Sequence, residues 1–296
     1  MLKQIINSLK NRTLTQSILC LFLSSAAFAE QVENSPIEIR LVSNVKAIGP
    51  SQRFFIGIHQ KMLPGYHTYW KNAGTVGLPT SVEWDLPEGW SAGEINWPVP
   101  QVTRMAVYDV WGYEEEVLLP IQFTPPDILS SDKPVVLKGR VTWMCCGKIC
   151  RPGTKEFQIT LPVSDQPLVD SQWKESFNRI LQEQPQSDSS WELKCVIKEG
   201  SYRLSFVRAD SSFDESILSA YFFGYQRQVS SAKGQVFKPD EKGFSIHMKP
   251  EEHTIEPLPR LSGMVVVETD RGRKVVAVDV AIEVFPDGTI EAENSR

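Results

Sequence analysis

The chain has 296 residues, of which 23% are charged and 41% hydrophobic, with a formal net charge of -5. That length is enough for two domains of ordinary size, each burying its own core, so the five cysteines are not needed to hold the fold. The acidic balance argues against a nucleic-acid surface, and the sequence contains no glycine-rich phosphate loop and no nucleophile elbow.

Residues 1–29 read as an export signal. Lys3, Lys10 and Arg12 form a positive start, "SILCLFLSSAAF" is a short apolar core, and "AFA" at 27–29 is a small-x-small cleavage site. Cys20 is an apolar-core residue of this segment, because Leu19 is too large for the position that precedes a lipidated cysteine. No later stretch approaches the roughly 20 apolar residues of a membrane helix. The expectation is an exported protein, soluble after cleavage and located in the periplasm, where disulfides persist.

From Ile37 the chain alternates apolar and polar residues in short runs bounded by Pro, Gly and Asn or Asp, the pattern of half-buried strands. The expected strands are "IEIRLVSNVKAI", "RFFIGIHQKM", "YHTYW", "TSVEW", "EEVLLPIQF", "VVLKGRVTW" and "KEFQITLPV". The period then changes: Val169, Trp173, Phe177, Ile180 and Leu181 fall on one helical face, with Asp170 or Ser171 as the N-cap and Pro185 as the stop. After the polar linker "QPQSDSS" strands return in "WELKCVIKEG", "SYRLSFV", "ILSAYFFGY", "GFSIHMKP", "LSGMVVVET" and "RKVVAVDVAIEVF". The predicted class is all-β, two immunoglobulin-like β-sandwich domains joined by a short amphipathic helix and linker. The expected divisions are a signal peptide at 1–29, a first domain at 30–165, the helix and linker at 166–189, a second sandwich at 190–286 and a polar tail at 287–296.

Three cysteines crowd into "VTWMCCGKICRPG" at 141–153, between a strand entering and a strand leaving, with Gly147 and Gly153 expected to supply positive φ. Cys146 and Cys150 face each other across this turn and can come within disulfide range, whereas the adjacent Cys145 and Cys146 point to opposite faces of a strand. A bridge over so short a loop restrains the unfolded chain little, so its value is chemical more than structural. Lys148 and Arg151 flank the pair and favour a thiolate, the form that attacks another disulfide. Two alternatives stand beside redox exchange: a plain structural staple, or a Cu(I) site on Cys145, Cys146 and Cys150, thiolates being soft ligands.

The histidines His59, His67, His247 and His253 are scattered and read as ordinary core or surface residues, unless the fold brings His67 to the thiols. Cys195 reads as a buried strand thiol, and Glu114 to Glu116 as solvated charge at a strand end. In "YDVWGYEEEVLLP" the residues Tyr108, Trp111 and Tyr113 either pack a sandwich edge or cover a reactive disulfide.

"LPGYHTYWKNAGTVGLPTSVEW", "LPEGW", "INWPVPQ", "GYEEEVLLPIQF" and "VTWMCCGKICRPGTKEFQITLP", in this order, resemble the N-terminal periplasmic domain of thiol:disulfide interchange protein DsbD. The variant most similar is that of the suppressor of copper sensitivity B proteins, whose second β-domain is similar to "AYFFGYQ" and "PLPRLSGMVVVE" here. The resemblance implies an immunoglobulin-like domain with one redox-active pair, Cys146 and Cys150, in which Cys150 forms mixed disulfides with partners and Pro152 matches the family's proline. It also implies a mobile cap loop within "RMAVYDVWG", with Tyr108 the shielding residue. The implied activity is protein-disulfide reduction without a cofactor, and the implied partners are thioredoxin-fold periplasmic proteins of the isomerase or cytochrome-maturation kind. Relatives continue into membrane and thioredoxin-like domains that are not found here, so the expected electron donor is a separate protein, membrane-bound or absent. Cys145 stands where relatives usually carry an apolar residue; copper tolerance through a non-catalytic module is the competing reading.

Overall fold

The computed structural model describes residues 35–130, 133–166, 168–209, 215–252 and 258–284. The expected export segment with Cys20, His253 and the polar tail lie outside the described residues.

The first half is a two-sheet sandwich. One sheet has the order β1 (Ile37–Ser43), β3 (Phe54–Met62), β9 (Glu116–Thr124) and β6 (Ser91–Ile95). The other runs β11 (Cys150–Leu161), β10 (Val135–Cys146), β4 (His67–Gly74), β8 (Tyr108–Glu114) and β7 (Gln101–Met105), with β5 (Ser81–Asp85) also paired to β10. Between the sheets lie Ile56, Ile58, Trp70, Leu119, Ile121, Phe123, Leu137 and Val141, all buried. The alternation in β10 explains its placement: Leu137, Val141 and Cys145 point into this core, while Lys138, Arg140 and Thr142 point out.

A short strand β2 (Val45–Ala47) pairs with β12 (Leu168–Val169), and the helix α1 (Lys174–Gln182) follows. Phe177 and Ile180 of α1 pack on Val42 and Leu118, as its apolar stripe predicts. The helix nevertheless starts later than its sequence signals suggest. Asp170 Oδ1 accepts from the Gln172 N–H inside the preceding turn, Trp173 takes the N-cap position without a side-chain cap bond, and Val169 belongs to β12.

In the second half β15 (Ile217–Gly224), β18 (Arg260–Thr269) and β19 (Gly272–Val284) continue, through a parallel β19 pairing, into β13 (Trp191–Lys198), β14 (Ser201–Arg208), β17 (Gly243–Met248) and β16 (Gln235–Asp240). Inward residues such as Tyr202, Leu204 and Phe206 of β14 meet Phe222, Val265, Val276 and Val278 of the facing strands. The open side is closed by one side chain: the Gln235 amide accepts from the Phe222 N–H at 2.9 Å and donates to the Phe222 carbonyl at 2.7 Å, in place of a further ladder step. The all-β, two-sandwich architecture predicted from the sequence is therefore observed, with β6, β7, β8, β12 and β16 added to the expected strands.

The two sandwiches share apolar contacts. Phe223, Met264 and Val266 of the second belong to the same buried cluster as Trp70 and Trp111 of the first. Lys71 of β4 lies over the Tyr225 ring, 3.3 Å from its centroid.

Candidate functional site

β10 and β11 form one long hairpin whose register ends with Cys146 opposite Cys150. The two are joined by a disulfide with their α-carbons 4.0 Å apart, and Cys145 and Cys195 are free and buried. The expected pair is thus the bonded pair, and no bridge links Cys145 to Cys195.

The two bonded residues differ in surroundings. Cys146 is 0% exposed and packs with Tyr69, Ala73 and Val110, against which Val76, Met105 and Met144 also pack. Cys150 is exposed, at the start of β11, which is the outer strand of its sheet. Lys148 and Ile149 are exposed in the turn between them, and Arg151 and Pro152 are exposed on β11. Proline suits an outer strand, where the missing N–H removes no ladder bond.

Neither nearby glycine has the positive φ expected for it; each is there for close approach. A Cβ on Gly147 would stand 2.8 Å from the Gly65 carbonyl oxygen, and one on Gly153 would stand 2.4 Å from the Trp143 ring opposite it. The turn therefore lies directly on the Gly65 carbonyl and the Tyr66 ring, and the Trp143 indole covers Gly153.

Cys145 is on the other face of β10, fully buried in the sandwich core, and burial pushes its thiol up to about 11. It remains a protonated, apolar-packed thiol at neutral pH. Because Cys145 and Cys146 project to opposite faces, the three cysteines do not converge, and among the described residues no cluster of three or more His, Cys, Asp or Glu side chains has a metal-holding arrangement.

The segment expected as a cap loop is a β-hairpin. β7 and β8 pair from Gln101 opposite Gly112 to Met105 opposite Tyr108, with Ala106 at φ 55° in the turn. Met105 packs on the cluster around Cys146, while Tyr108 at 41% and Val107 at 74% exposure form the hairpin tip. Trp111 does not cover the disulfide. It is fully buried, edge-on to Trp70 and Phe223, and its indole N–H donates to the Tyr221 hydroxyl at 3.2 Å. Tyr113 is likewise a core residue, its hydroxyl donating to the Pro98 carbonyl at 2.8 Å.

The fold does bring His67 to the thiols. His67 is directly opposite Cys146 across the β4–β10 pairing and opposite Glu114 across the β4–β8 pairing. It is 2% exposed, its Nε2 has no hydrogen-bond partner, and its ring meets Tyr69 edge-on at 5.1 Å. Burial lowers its pKa, against a smaller opposing pull from Glu114, so the ring is neutral at pH 7. Tyr69 is itself pushed up to about 12, first by burial and then by Cys145. The other histidines have different settings. His59 takes a hydrogen bond from Arg40 Nε and bonds Glu116 through Nε2 at 2.6 Å, and His247 Nε2 lies 3.2 Å from Ser245 Oγ.

The second sandwich holds what surrounds the pair. Ser231 Oγ donates to the Asp109 carbonyl of β8 at 2.6 Å and accepts the Thr75 N–H at 2.9 Å, and Asn72 Nδ2 donates to the Gly224 and Gln226 carbonyls. The loop at 74–80 then passes over Tyr69, with Gly77 at φ 112° against the ring.

Residues 36–162 match the family described as "Thiol:disulfide interchange protein DsbD, N-terminal". Among solved structures, the N-terminal periplasmic domain of ScsB from Proteus mirabilis superposes with a TM-score of 0.61 at 15% identity, over 85% of this chain and 96% of that one. That likeness covers both sandwiches and concerns the fold. A protein of unknown function from Porphyromonas gingivalis W83 aligns over 83% of this chain and 99% of its own, at 12% identity and a TM-score of only 0.23. No curated protein sequence matches the chain.

Proposed function

We propose, from the premise that residues 36–162 of this chain belong to the family of DsbD N-terminal domains, that the protein exchanges disulfides with thioredoxin-fold partners in the periplasm through Cys146 and Cys150. The observation that carries the reading is the asymmetry of the pair: Cys150 exposed on an outer strand, Cys146 enclosed. A thiol that meets a protein partner must be accessible, and one that resolves the mixed disulfide must be shielded from competing thiols.

In the reduced protein the Cys150 thiolate attacks one sulfur of a partner's disulfide. A Cys150–partner disulfide forms and the partner's second sulfur leaves as a thiolate. Cys146 then attacks Cys150 Sγ, the bond to the partner breaks, and the protein is left with its disulfide and the partner with two thiols. Two electrons have moved to the partner, and the reverse sequence moves them back. Exposed Val107, Tyr108 and Ile149 supply an apolar rim for the docked partner, and Met105 covers the inner side of the pair.

The test is a trapping reaction. A reduced Cys146→Ser variant mixed with a purified, oxidised thioredoxin-fold disulfide isomerase is expected to give a covalent adduct through Cys150 that dithiothreitol releases. A Cys150→Ser variant is expected to give none. Equal absence of adduct from both variants overturns the proposal.

A further inference from the structure

Cys146 poses a chemical difficulty for exchange that Cys150 does not. It must act as a nucleophile from a fully buried site lined by Tyr69, Ala73 and Val110. Such surroundings disfavour a thiolate. The neighbouring Cys145, equally enclosed in the core on the other face, shows the direction of the effect: burial pushes its thiol up to about 11. A buried thiol is ionised in only a small fraction of molecules at pH 7, so unaided resolution is slow. A base within reach of Cys146 removes the difficulty.

Resting on the exchange reading above, we propose that His67 accepts the proton of Cys146 as that thiol closes the intramolecular disulfide. Three observations support it. His67 and Cys146 are direct cross-strand partners, so their side chains leave the sheet on the same face with β-carbons about 4.5–5.5 Å apart. His67 Nε2 is buried with no hydrogen-bond partner, which is costly for an imidazole nitrogen unless another state of the site uses it. The ring is neutral at pH 7 in the oxidised protein, as a proton acceptor must be.

The titratable groups around His67 are few. Glu114 faces it from β8, hydrogen-bonded by Thr103 Oγ1 of β7, and stabilises the imidazolium once formed. Tyr69 meets it edge-on from β4 and stays protonated, the Cys146–Cys150 pair faces it from β10 and β11, and Lys148 is exposed in the turn beyond. In the step itself the Cys146 S–H bond breaks and its proton passes to His67 Nε2. The Cys146 sulfur bonds Cys150 Sγ, the partner's sulfur leaves with the electron pair of the broken disulfide, and His67 afterwards releases the proton to solvent.

The experiment uses the full chain, reduced, with one equivalent of 5,5′-dithiobis-(2-nitrobenzoate) as the disulfide. The first thionitrobenzoate released reports attack by Cys150, and the second reports resolution by Cys146. In His67→Gln the first phase is expected to be unchanged, and the second slowed on the order of 100-fold at pH 7. The pH midpoint of the second phase is expected to follow the His67 pKa of the reduced protein in the wild type and to move into the thiol range in the variant. A second phase with the same rate and pH profile in both proteins overturns the role of His67. Absence of any second release from the wild type overturns the exchange reading instead. A measurement on the unsubstituted protein does not depend on the variant's folding: by NMR titration the His67 pKa is expected to rise on reduction of the pair. Identical values in the two redox states contradict the proposal.

Discussion

Cys145 is the thiol whose sequence position is most ambiguous, and its substitution separates a core residue from a redox or metal-binding one. The side chain is fully buried beside Val141 and Leu137 of its own strand. Cys145→Ala removes one sulfur from this core, a loss comparable to a methylene plus a small cavity, for a cost of about 1–2 kcal/mol. Cys145→Ser keeps the volume nearly constant but places a hydroxyl among apolar side chains, adding about 1–3 kcal/mol for a polar group without a partner. The expected order of urea midpoints, with unchanged m-values, is wild type, then Ala, then Ser. The rates of both thionitrobenzoate phases are expected to stay at wild-type values in the Ala variant, and the affinity of the reduced protein for Cu(I) is expected to be the same with and without Cys145. A Ser variant as stable as the wild type, or a Cu(I) affinity that falls with Cys145 removed, refutes the assignment of this thiol to the core.

Gly153→Val drives a side chain into the Trp143 ring and is expected to cost about 1–3 kcal/mol, read as a lowered urea midpoint with altered tryptophan fluorescence. Ser231→Ala removes the bonds to the Asp109 carbonyl and the Thr75 N–H, so amide exchange in the hairpin at 105–110 and at Thr75 is expected to accelerate while remote β14 amides do not. Unchanged protection in that hairpin contradicts a bracing role for the second sandwich. Glu116 is held below the ordinary carboxylate range, chiefly by the hydrogen bond from His59, so its stabilising effect is full above the unfolded value near 4.5 and is lost as pH falls through the lowered one. Glu116→Gln is therefore expected to flatten the acid limb of the urea midpoint against pH, and an unaltered acid limb would show that the pair adds nothing to stability.

Much of the site is legible where local rules decide it. The strand period puts Cys145 and Cys146 on opposite faces, and the structure shows Cys145 to be the inward one, with Leu137 and Val141. The pairing of Cys146 with Cys150 follows from a three-residue turn between two clear strand patterns. The helical stripe of Phe177 and Ile180 was equally readable.

What local rules do not decide was hidden or misplaced. The β7–β8 turn uses Ala106 at positive φ, without the Asn or Gly that would mark a tight hairpin, so its strands resemble a loop. Trp111 is buried because Phe223 and Tyr221 of the other sandwich come against it, a long-range contact with no trace in its own neighbourhood. Gly147 and Gly153 are needed for space, against the Gly65 carbonyl and the Trp143 ring, and spacing of that kind depends on pairing register. His67 reaches Cys146 only through the strand order of the sheet.

The direct test of exchange is the reduction potential of the Cys146–Cys150 couple, measured by equilibrating the purified protein with thioredoxin-fold proteins of known potential. A working pair is expected to equilibrate readily, above about -300 mV and within the range spanned by such proteins. A potential well below about -300 mV, with the bridge resisting reduction by these proteins, would identify a static staple and contradict the account.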